Sequence, residues 1–360
     1  MSLRECVKRC APEWMIPFLR AGYGFAQAHL PKPGSGSYRK RLRSELGFYS
    51  ACANVQDLPA IAHYWSNKFL VPMLRPLGFT NAIELVRPYI LRTCRKSPGT
   101  LICCASLGCG HSQAEINIGQ WLREQDCSNF LFECYDVNPD ALRRGETLAR
   151  EKDLQQHFRF DTFDINAWRP RRRYPIIVAF QSLHHVLELE RLFETIRKTI
   201  GPAGYFLADD MIGRNGHQRW PEALRLVEEL WIDLPKRYKY NHQIGRVIDP
   251  FENFDCSKES FEGIRAQDIL PLLVRNFQFE VFVGFGNIID VFIDRGYGHN
   301  FDPAKSEDTD FIDKVHALDM KHLEFGTLKP THLQAAMTTV ARRRTAMYKH
   351  MSPEFCLRLP

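Results

Sequence analysis

From residue 100 onward, short apolar runs alternate with longer segments whose apolar residues recur at helical spacing. Short runs with hardly a polar side chain are typical of strands that are covered on both faces. Strands that alternate with amphipathic helices indicate a mostly parallel sheet. We therefore predict an α/β domain over residues 98–300. Its strands are predicted at residues 101–105, 130–136, 158–163, 175–181 and 204–210.

The segments on either side of this pattern have a different character. Residues 1–97 show no strand-like alternation and are predicted to form a helical cap. Residues 211–277 are too long for a plain crossover, so we expect an insertion that covers the carboxyl ends of the strands and shapes a substrate pocket. Residues 279–283 and 288–293 flank a glycine-containing turn and predict a terminal antiparallel hairpin. Residues 301–360 predict a helical extension.

The composition is that of an ordinary globular protein, with 44% apolar and 25% charged residues among 360. A net charge of +6 permits an acidic substrate or surface without requiring one. The 11 cysteines follow no regular spacing, and several fall inside predicted buried strands, so a reducing compartment is expected. Cys6 and Cys10 could share a helix face, but two further ligands at metal spacing are missing from the sequence, and we predict no metal site.

The first residues do not have the pattern of a targeting segment. Pro17 and Arg20 interrupt the apolar stretch near the start of the chain, and no small-residue cleavage site follows it. The sequence therefore predicts neither a signal peptide nor a membrane span, and the expected location is the cytoplasm.

A glycine turn follows the first predicted strand. The strand runs into Gly108-Cys-Gly110, a helix follows, and the next strand ends at Asp136. A strand, a Gly-x-Gly turn, a helix and an acid at the tip of the next strand form the arrangement with which α/β sheets hold an adenosine-bearing cofactor. The third glycine of a dinucleotide-binding fingerprint is missing, so a pyrophosphate is not the expected ligand.

The sequence Leu-Gly-Cys-Gly of this turn, together with the strands downstream, resembles the first motif of the class I S-adenosylmethionine-dependent methyltransferases. The resemblance covers residues 100–300 well and the two ends only loosely. It implies a Rossmann-like, mostly parallel seven-stranded sheet that ends in an antiparallel hairpin. It also implies an enzyme that transfers a methyl group from S-adenosyl-L-methionine.

The resemblance places the cofactor at the carboxyl ends of the first four strands. Asp136 matches the family's ribose-binding acid, and Asp164 with Ile165 matches the motif that contacts the adenine. Ser106 stands where many members carry an acid, and Ser112 where many carry a third glycine, so both positions depart from the family pattern. The expected cofactor-binding residues are Ser106, Gly108, Gly110, Glu115, Asp136, Asn138, Asp164, Ile165 and Gln181.

Two functions are open for Glu115. With Ser112 it has the spacing of a capping box, in which the two side chains satisfy free backbone N–H groups at a helix start. Alternatively, its carboxylate reaches the amino group of the cofactor and compensates for Ser106.

The end of the fourth strand carries two adjacent histidines in a segment that resembles the family's fourth motif. The resemblance places them near the transferred methyl group, and histidine is the side chain most easily poised as a base near neutral pH. The alternative is that one histidine caps the following helix while the other packs. Asp209 and Asp210 close the fifth strand, and only one of them is expected to face the pocket, because neighbouring strand residues point to opposite faces. The expected catalytic residues are His184, His185 and Asp210.

The acceptor is expected to bind against the insertion, where Trp220, Tyr238 and Arg246 are the candidate contacts. The enclosed pocket favours methyl transfer to an oxygen of a small-molecule or saccharide-type acceptor. An RNA methyltransferase and a non-catalytic binding module are the alternatives, although no RNA-binding module is recognisable in the sequence. The basic runs at residues 169–173 and 342–344 are predicted to be solvated rather than to bind nucleic acid. Self-association to a homodimer is left open.

Overall fold

The computed structural model describes residues 30–51, 58–341 and 344–358. Residues 1–29 and 52–57 of the expected helical cap lie outside the described residues, and so do Cys6 and Cys10. Residues 342–343 of the second basic run are also outside them.

The strands begin in the region where the apolar runs predicted them. In chain order they are β1 (Ile102–Leu107), β2 (Phe130–Asp136), β3 (Phe158–Thr162), β4 (Ile176–Phe180), β5 (Tyr205–Met211), β6 (Tyr240–Asn241), β7 (Arg246–Val247), β8 (Gln278–Phe285), β9 (His332–Thr338) and β10 (Ala346–Met347). Eight of them form one sheet in the order β10-β8-β9-β5-β4-β1-β2-β3, while β6 and β7 form a separate antiparallel pair. The predicted α/β class and mostly parallel sheet are confirmed.

The helices surround the sheet and fill the crossovers between its parallel strands. In chain order they are α1 (Gly36–Ala51), α2 (Ala60–Trp65), α3 (Val71–Leu74), α4 (Ala82–Lys96), α5 (Gln113–Glu124), α6 (Pro139–Glu151), α7 (Leu189–Ile200), α8 (Pro221–Ile232), α9 (Ala266–Asn276), α10 (Ile289–Ile293) and α11 (Ser306–Glu324). A π-helical segment, Ser66–Leu70, joins α2 to α3.

The sheet order creates a cleft between β1 and β4. The strand β1 pairs in parallel with β2 on one side and with β4 on the other, so the chain winds outward in both directions from this point. All six residues of β1 are buried, as expected for a central strand covered by helices on both faces. In open α/β sheets ligands bind beyond the carboxyl ends of the strands where the winding reverses. A ligand site is therefore expected at the carboxyl ends of β1, β2, β4 and β5.

The end of the sheet differs from the prediction in three ways. Residues 288–293 are not the second hairpin strand, because Ile289–Ile293 form the short helix α10. The antiparallel partner of β8 is instead β9, which lies between β5 and β8 and pairs antiparallel with both. Residues 301–360 are thus only partly helical, since they supply both β9 and the edge strand β10. With β10 the sheet has eight strands rather than seven.

A buried carboxylate explains why the chain turns into a helix after β8. Asp319 of α11 is 1% exposed and accepts backbone N–H groups of Asn287 and Ile288, at 3.0 and 3.2 Å. These two N–H groups sit at the start of α10, so the carboxylate satisfies donors that a continuing hairpin would have paired with a strand. The chain then passes through α11 before it returns as β9.

A buried arginine fastens the insertion to the sheet. Arg265, at the start of α9, is 2% exposed and lies between Glu190 of α7 and Asp268, with N–O distances of 2.7 and 2.8 Å. It also donates to the backbone carbonyl of Leu187, in the loop that follows β4. Because a buried guanidinium must be paired, this contact fixes the insertion above the ends of β4 and β5.

One helical stretch, Ala60–Lys96, is long and apolar enough to cross a membrane by length and composition alone. In the structure it contains a break near Gly78, whose φ of +93° is left-handed, and Tyr89 of α4 packs on Tyr205 of β5. This stretch is therefore weak evidence for a membrane span.

Candidate active site

The turn after β1 requires glycine at residue 108. Gly108 has a φ of +69°, and a Cβ atom built on it would lie 2.5 Å from Cβ of Ser182, just beyond β4. Ser182 in turn donates its hydroxyl hydrogen to the Leu107 carbonyl at 2.7 Å. The ends of β1 and β4 therefore approach so closely that a side chain would not fit, which leaves a backbone-lined wall for a ligand.

Asp136 lies at the tip of β2 and holds this turn. Its carboxylate accepts backbone N–H groups of Gly110 and Asn138, both at 2.8 Å. Burial raises the pKa of Asp136, while these two hydrogen bonds lower it. Each carboxylate oxygen keeps a second lone pair, so the group can still accept hydroxyl hydrogens from a ligand.

Asn138, expected to bind the cofactor, has a structural function. Its Oδ1 accepts backbone N–H groups of Asp140 and Ala141, so the residue is the N-cap of α6. Its Nδ2 is buried and makes no hydrogen bond within the described residues. Only this nitrogen is therefore left for a ligand.

The predicted capping box at the start of α5 is wrong. Ser112 has a φ of +56° and forms no side-chain cap, and its buried hydroxyl makes no hydrogen bond within the described part of the chain. Glu115 is 2% exposed and turns back to β1, where its Oε1 accepts the Ser106 hydroxyl hydrogen at 2.6 Å. Burial raises the pKa of Glu115 to about 7 against the lowering effect of Ser106. The second interpretation of Glu115, a carboxylate in the position that Ser106 leaves without one, fits this geometry.

The helix α1 of the cap contacts Asp164, the neighbour of Ile165. Tyr38 of α1 is 3% exposed and donates its hydroxyl hydrogen to Asp164 Oδ2, while the other oxygen accepts the Asn166 backbone N–H at 2.9 Å. The half-buried side chain of Ile165 comes within 3.8 Å of a Cβ built on Gly108. Ile165 therefore borders the glycine turn, and the neighbouring Asp164 is held by Tyr38.

Gln181 lies at the rim, directly after β4. Its φ of +49° is in the left-handed region, and its Nε2 donates to Asp209 at 2.9 Å. Asp209 thus faces Gln181, whereas Asp210 faces the opposite side of β5, as the alternation of strand side chains predicts. A left-handed glutamine at the end of a central strand is a strained position of the type found at ligand sites.

Asp210, expected to be catalytic, is engaged in hydrogen bonds with the loop after β4. It is fully buried and accepts the backbone N–H groups of Ser182, Leu183 and Met211 at 2.7–2.8 Å, as well as Nδ1 of His184 at 2.6 Å. Burial alone would raise the pKa of Asp210, but the His184 ring and these N–H groups lower it. With its lone pairs committed, the carboxylate fixes the loop after β4 and the orientation of the His184 ring.

His184 itself is held between two carboxylates. Its Nδ1–H donates to Asp210, and its Nε2 lies 3.4 Å from Oε1 of Glu262. Burial lowers the pKa of His184, but Asp210 and Glu262 outweigh it and raise the pKa to about 10. The neighbouring ring of His185 lies 4.2 Å away between centroids and belongs to the same cluster.

His185 is more open than His184 and contacts the cap. Its Nδ1 lies 3.0 Å from Oε1 of Glu45 on α1, and its side chain is 16% exposed. Its Nε2 lies 3.7 Å from Oε2 of Glu262. The two adjacent histidines at this edge thus have different surroundings.

Sequence reasoning missed three members of this cluster. Glu45 comes from the cap, and His217 and Glu262 come from the insertion, where Nε2 of His217 lies 2.7 Å from Oε1 of Glu262. Burial lowers the pKa of His217, and Glu262 only partly offsets this. The sequence indicated His217 only through its position in the insertion that was expected to cover the site. No hydrophobic periodicity distinguished it from its neighbours.

Two of the three expected substrate contacts are engaged elsewhere. Tyr238 is 5% exposed, donates its hydroxyl hydrogen to Asp308 and stacks on Phe301, so it packs a layer of the insertion. Arg246 in β7 forms an exposed ion pair with Glu252. We therefore include neither Tyr238 nor Arg246 in the proposed acceptor site.

Trp220 is half-buried and precedes α8. Its ring lies 3.9 Å from the Arg358 guanidinium and 5.4 Å from that of Arg214. Arg358 pairs with Glu222 at 2.9 Å. The structure thus gives Trp220 one cation–π contact with the C-terminal segment and one within the insertion.

The basic run at residues 169–173 is partly engaged inside the molecule. Arg171 pairs with Asp161, and Arg172 lies 3.4 Å from the buried carboxylate of Glu133. These contacts fasten the loop before β4 to the neighbouring strands.

Comparison with known proteins gives one family. Residues 80–248, just under half of the chain, match the family described as a methyltransferase domain. The matched segment contains the glycine turn, Asp136, Asp164 and both histidines. No curated protein matches the sequence.

Two solved structures illustrate the likeness of fold. The O-methyltransferase from a trans-AT PKS multienzyme of Brevibacillus brevis, in complex with S-adenosyl-L-homocysteine, has 13% identity over 80% of this chain and 85% of its own, with a TM-score of 0.42. Geranyl diphosphate C-methyltransferase from Streptomyces coelicolor A3(2) has 10% identity over 86% of this chain and 100% of its own, also with a TM-score of 0.42. These two likenesses concern the fold alone.

Proposed function

We propose that this chain, a class I S-adenosylmethionine-dependent methyltransferase, transfers the methyl group to an oxygen of a small-molecule or saccharide-type acceptor. The observation that carries the choice of oxygen is the His185–Glu45 pair, whose Nδ1 and Oε1 lie 3.0 Å apart at the strand ends. A hydroxyl acceptor must lose a proton as its oxygen attacks, and a histidine paired with a carboxylate is suited to take it.

The cofactor site is assembled from four strand ends. S-adenosyl-L-methionine supplies an electrophilic methyl group on a positively charged sulfur. The side-chain-free wall at Gly108 and Gly110 allows close approach, and Asp136 has lone pairs left for the ribose hydroxyls. We assign the amino group to Glu115, whose buried carboxylate faces the end of β1, and the adenine to Asp164 and Ile165.

In the transfer step His185 takes the proton. When bound, S-adenosyl-L-methionine would supply its methyl group to the acceptor oxygen, with the thioether as the leaving group. The acceptor oxygen would then have to give its proton to a base. The acceptor proton passes to the His185 imidazole, which Glu45 orients and stabilises once it is charged. Asp210 contributes by fixing the loop that carries both histidines, so its function is positioning.

The described part of the cap contributes to this site through α1. Tyr38 and Glu45 lie on that helix and contact Asp164 and His185. Arg41 donates to the Ser260 carbonyl at 2.7 Å, which links the helix to the insertion. We therefore keep the division into a cap, a methyltransferase domain and a covering insertion, with α1 and the insertion enclosing the acceptor.

The cofactor assignment is tested by calorimetry. S-adenosyl-L-methionine is titrated into the full chain with NAD as the control, and micromolar binding of the first alone is expected. Asp136→Ala should abolish the binding, while Asp233→Ala, which changes an exposed carboxylate, should leave it intact. Normal binding to Asp136→Ala would contradict the placement of the site.

The acceptor is sought by following release of S-adenosyl-L-homocysteine with hydroxylated small molecules, saccharides and RNA. We expect turnover with a hydroxylated small molecule or saccharide. His185→Gln should then lower kcat by about 100-fold or more with the cofactor affinity unchanged. The exposed His63→Gln is the matched control. Turnover with RNA alone, or an active His185→Gln enzyme, would overturn the proposal.

A further inference from the structure

Three side chains above β4 and β5 converge with their ligand atoms. One ring nitrogen of His184, one ring nitrogen of His217 and one carboxylate oxygen of Glu262 all lie within 4.8 Å of one another. We infer that these three residues bind a divalent metal ion of the zinc class. Two histidines and one glutamate are a ligand set of catalytic zinc sites, in which a fourth position stays open to water or substrate.

The spacing of the three ligands suits a single ion. A tetrahedral ion with bonds of about 2.0–2.1 Å holds its ligand atoms about 3.3 Å apart. Nε2 of His184 lies 3.4 Å from Glu262 Oε1, and Nε2 of His217 lies 2.7 Å from the same oxygen. Small side-chain rotations, without backbone movement, would bring all three atoms to bonding distance.

Asp210 supplies the outer contact that metal-bound histidines usually have. It accepts the Nδ1–H of His184 at 2.6 Å, so the lone pair of a neutral ring is at Nε2, the atom that faces Glu262 and His217. A carboxylate–histidine–metal triad has this order of groups. The ring is 4% exposed and the carboxylate is fully buried, so the orientation is fixed by packing as well as by the hydrogen bond.

The loops that carry His217 and Glu262 are tied together. Gly216 donates its backbone N–H to the Gly263 carbonyl at 2.8 Å, which places the residues next to each glycine side by side. A Cβ on Gly216 would lie 2.0 Å from Asp255 Oδ1, so the close approach depends on glycine. Arg265, two residues beyond Gly263, anchors the same loop to Glu190. The ligand geometry therefore rests on a rigid frame rather than on mobile side chains.

The charges of the cluster favour a cation between these groups. The lone pair of a neutral His184 ring would point at a carboxylate oxygen of Glu262, which is a repulsive arrangement in a buried site. A metal ion removes this repulsion by binding both atoms. A proton on Nε2 would also remove it, and this imidazolium arrangement is the outcome against which the inference is tested.

Such an ion would have a direct function in the acceptor site. Three protein ligands leave a coordination position for a water molecule or an acceptor oxygen, and a zinc-bound hydroxyl is more acidic than a free one. This extension rests on the proposed function, in which His185 takes the acceptor proton. The binding of the metal itself does not depend on it.

The test measures metal binding without cofactor or acceptor. The full chain is stripped with a chelator and dialysed, and Zn²⁺ is titrated in competition with a chromophoric chelator, with Mn²⁺ and Co²⁺ in parallel. One Zn²⁺ per chain is expected, with a dissociation constant in the nanomolar to low micromolar range. His217→Ala and Glu262→Gln should weaken binding by about 100-fold or more, and Asp210→Asn by about 10- to 100-fold.

The controls separate this site from other binding and from unfolding. His63→Ala and Glu259→Gln change exposed residues of the same types and should bind Zn²⁺ as the unchanged chain does. The Cys6→Ser/Cys10→Ser double variant should also bind normally, which excludes a cysteine site. Thermal unfolding of each variant shows that it is folded, and the transition of the unchanged chain should rise with Zn²⁺.

Two results would overturn the inference. One is no binding of any of the three ions below about 100 μM, which would leave the imidazolium arrangement as the state of the cluster. The other is binding that persists in folded His217→Ala and Glu262→Gln. Because S-adenosyl-L-methionine binding and methyl transfer are measured separately, either result would leave the proposed function standing.

Discussion

Ser106 donates its hydroxyl hydrogen to Glu115 over 2.6 Å, although the two residues lie on opposite sides of the glycine turn. Ser106 lies one residue before the end of β1, and Glu115 brings a carboxylate to that strand end from the first turn of α5. Both side chains are buried. The contact thus places the carboxylate of Glu115 at the end of β1, where Ser106 itself has none.

The first prediction concerns the pH dependence of cofactor affinity. Burial raises the pKa of Glu115 to about 7, so the carboxylate is mostly protonated at pH 6 and mostly ionised at pH 8. Only the ionised form attracts the ammonium group of S-adenosyl-L-methionine, and an α-amino group itself loses its proton near pH 8. Affinity should therefore rise by about three- to fivefold between these pH values. Calorimetry at both pH values measures the change. Glu115→Gln should remove most of the rise, and an unaltered pH profile in this variant would contradict the assignment.

The second prediction concerns stability in the absence of cofactor. The folded-state pKa of Glu115 lies above its unfolded value of 4.5, so its contribution to stability is fully present below pH 4.5 and is lost as the pH rises through about 7. Glu115→Gln has no such loss. Its free energy of unfolding relative to the original chain should therefore increase by up to about 3 kcal/mol from pH 4.5 to pH 8. Urea unfolding at the two pH values measures this difference between the variant and the original chain. A difference that falls as the pH rises would refute the prediction.

A third prediction compares two glycines of the same turn. Gly108 and Gly110 both have positive φ angles, +69° and +54°, so alanine at either position is strained by about 1 kcal/mol. At Gly108 the new Cβ would also meet Ser182 Cβ at 2.5 Å, whereas a Cβ on Gly110 has no neighbour within 4 Å. Gly108→Ala should therefore lower the free energy of unfolding by about 1–3 kcal/mol more than Gly110→Ala. Equal effects, measured without cofactor by urea unfolding, would mean that β1 and β4 are less closely packed.

The parts of the fold predicted correctly are those whose pattern is local. The strand at residues 175–181 was recognisable because a strand buried on both faces must be apolar along its own length. The strand β9 was missed because its pairing is nonlocal: it follows β8 only after α10 and α11, and Asp319 redirects the chain between them. Residues 288–293 have an apolar pattern that suits a strand and a buried helix equally.

The candidate site follows the same rule. Asp136, His184 and His185 could be predicted as site residues because each lies at or shortly after the end of an apolar strand, and strand ends meet at one edge of the sheet. Glu45 and His217 were missed because they reach the site from the cap and the insertion, whose placement depends on tertiary contacts. Glu115 had two local explanations, and its hydrogen bond with the buried Ser106 excludes the capping box.

The last prediction compares the two adjacent acids that end β5. Asp210 accepts three backbone N–H groups and the His184 Nδ1–H, and its negative charge strengthens each of these hydrogen bonds. Asp210→Asn turns one acceptor oxygen into a donor against these N–H groups and removes the negative charge that they stabilise. A buried donor left without an acceptor costs about 1–3 kcal/mol, so with two such donors the free energy of unfolding should fall by about 2–5 kcal/mol.

Asp209 points to the other face, where Gln181 Nε2 donates to it at 2.9 Å, and burial raises its pKa. Asp209→Asn retains an acceptor oxygen for Gln181 and removes a negative charge beside Asp210, so its effect should stay within about 1 kcal/mol. Thermal and urea unfolding of the two variants at pH 7 measure the difference. Equal losses would mean that the hydrogen bonds of Asp210 do not hold the loop after β4, and the orientation of the His184 ring would then need another cause.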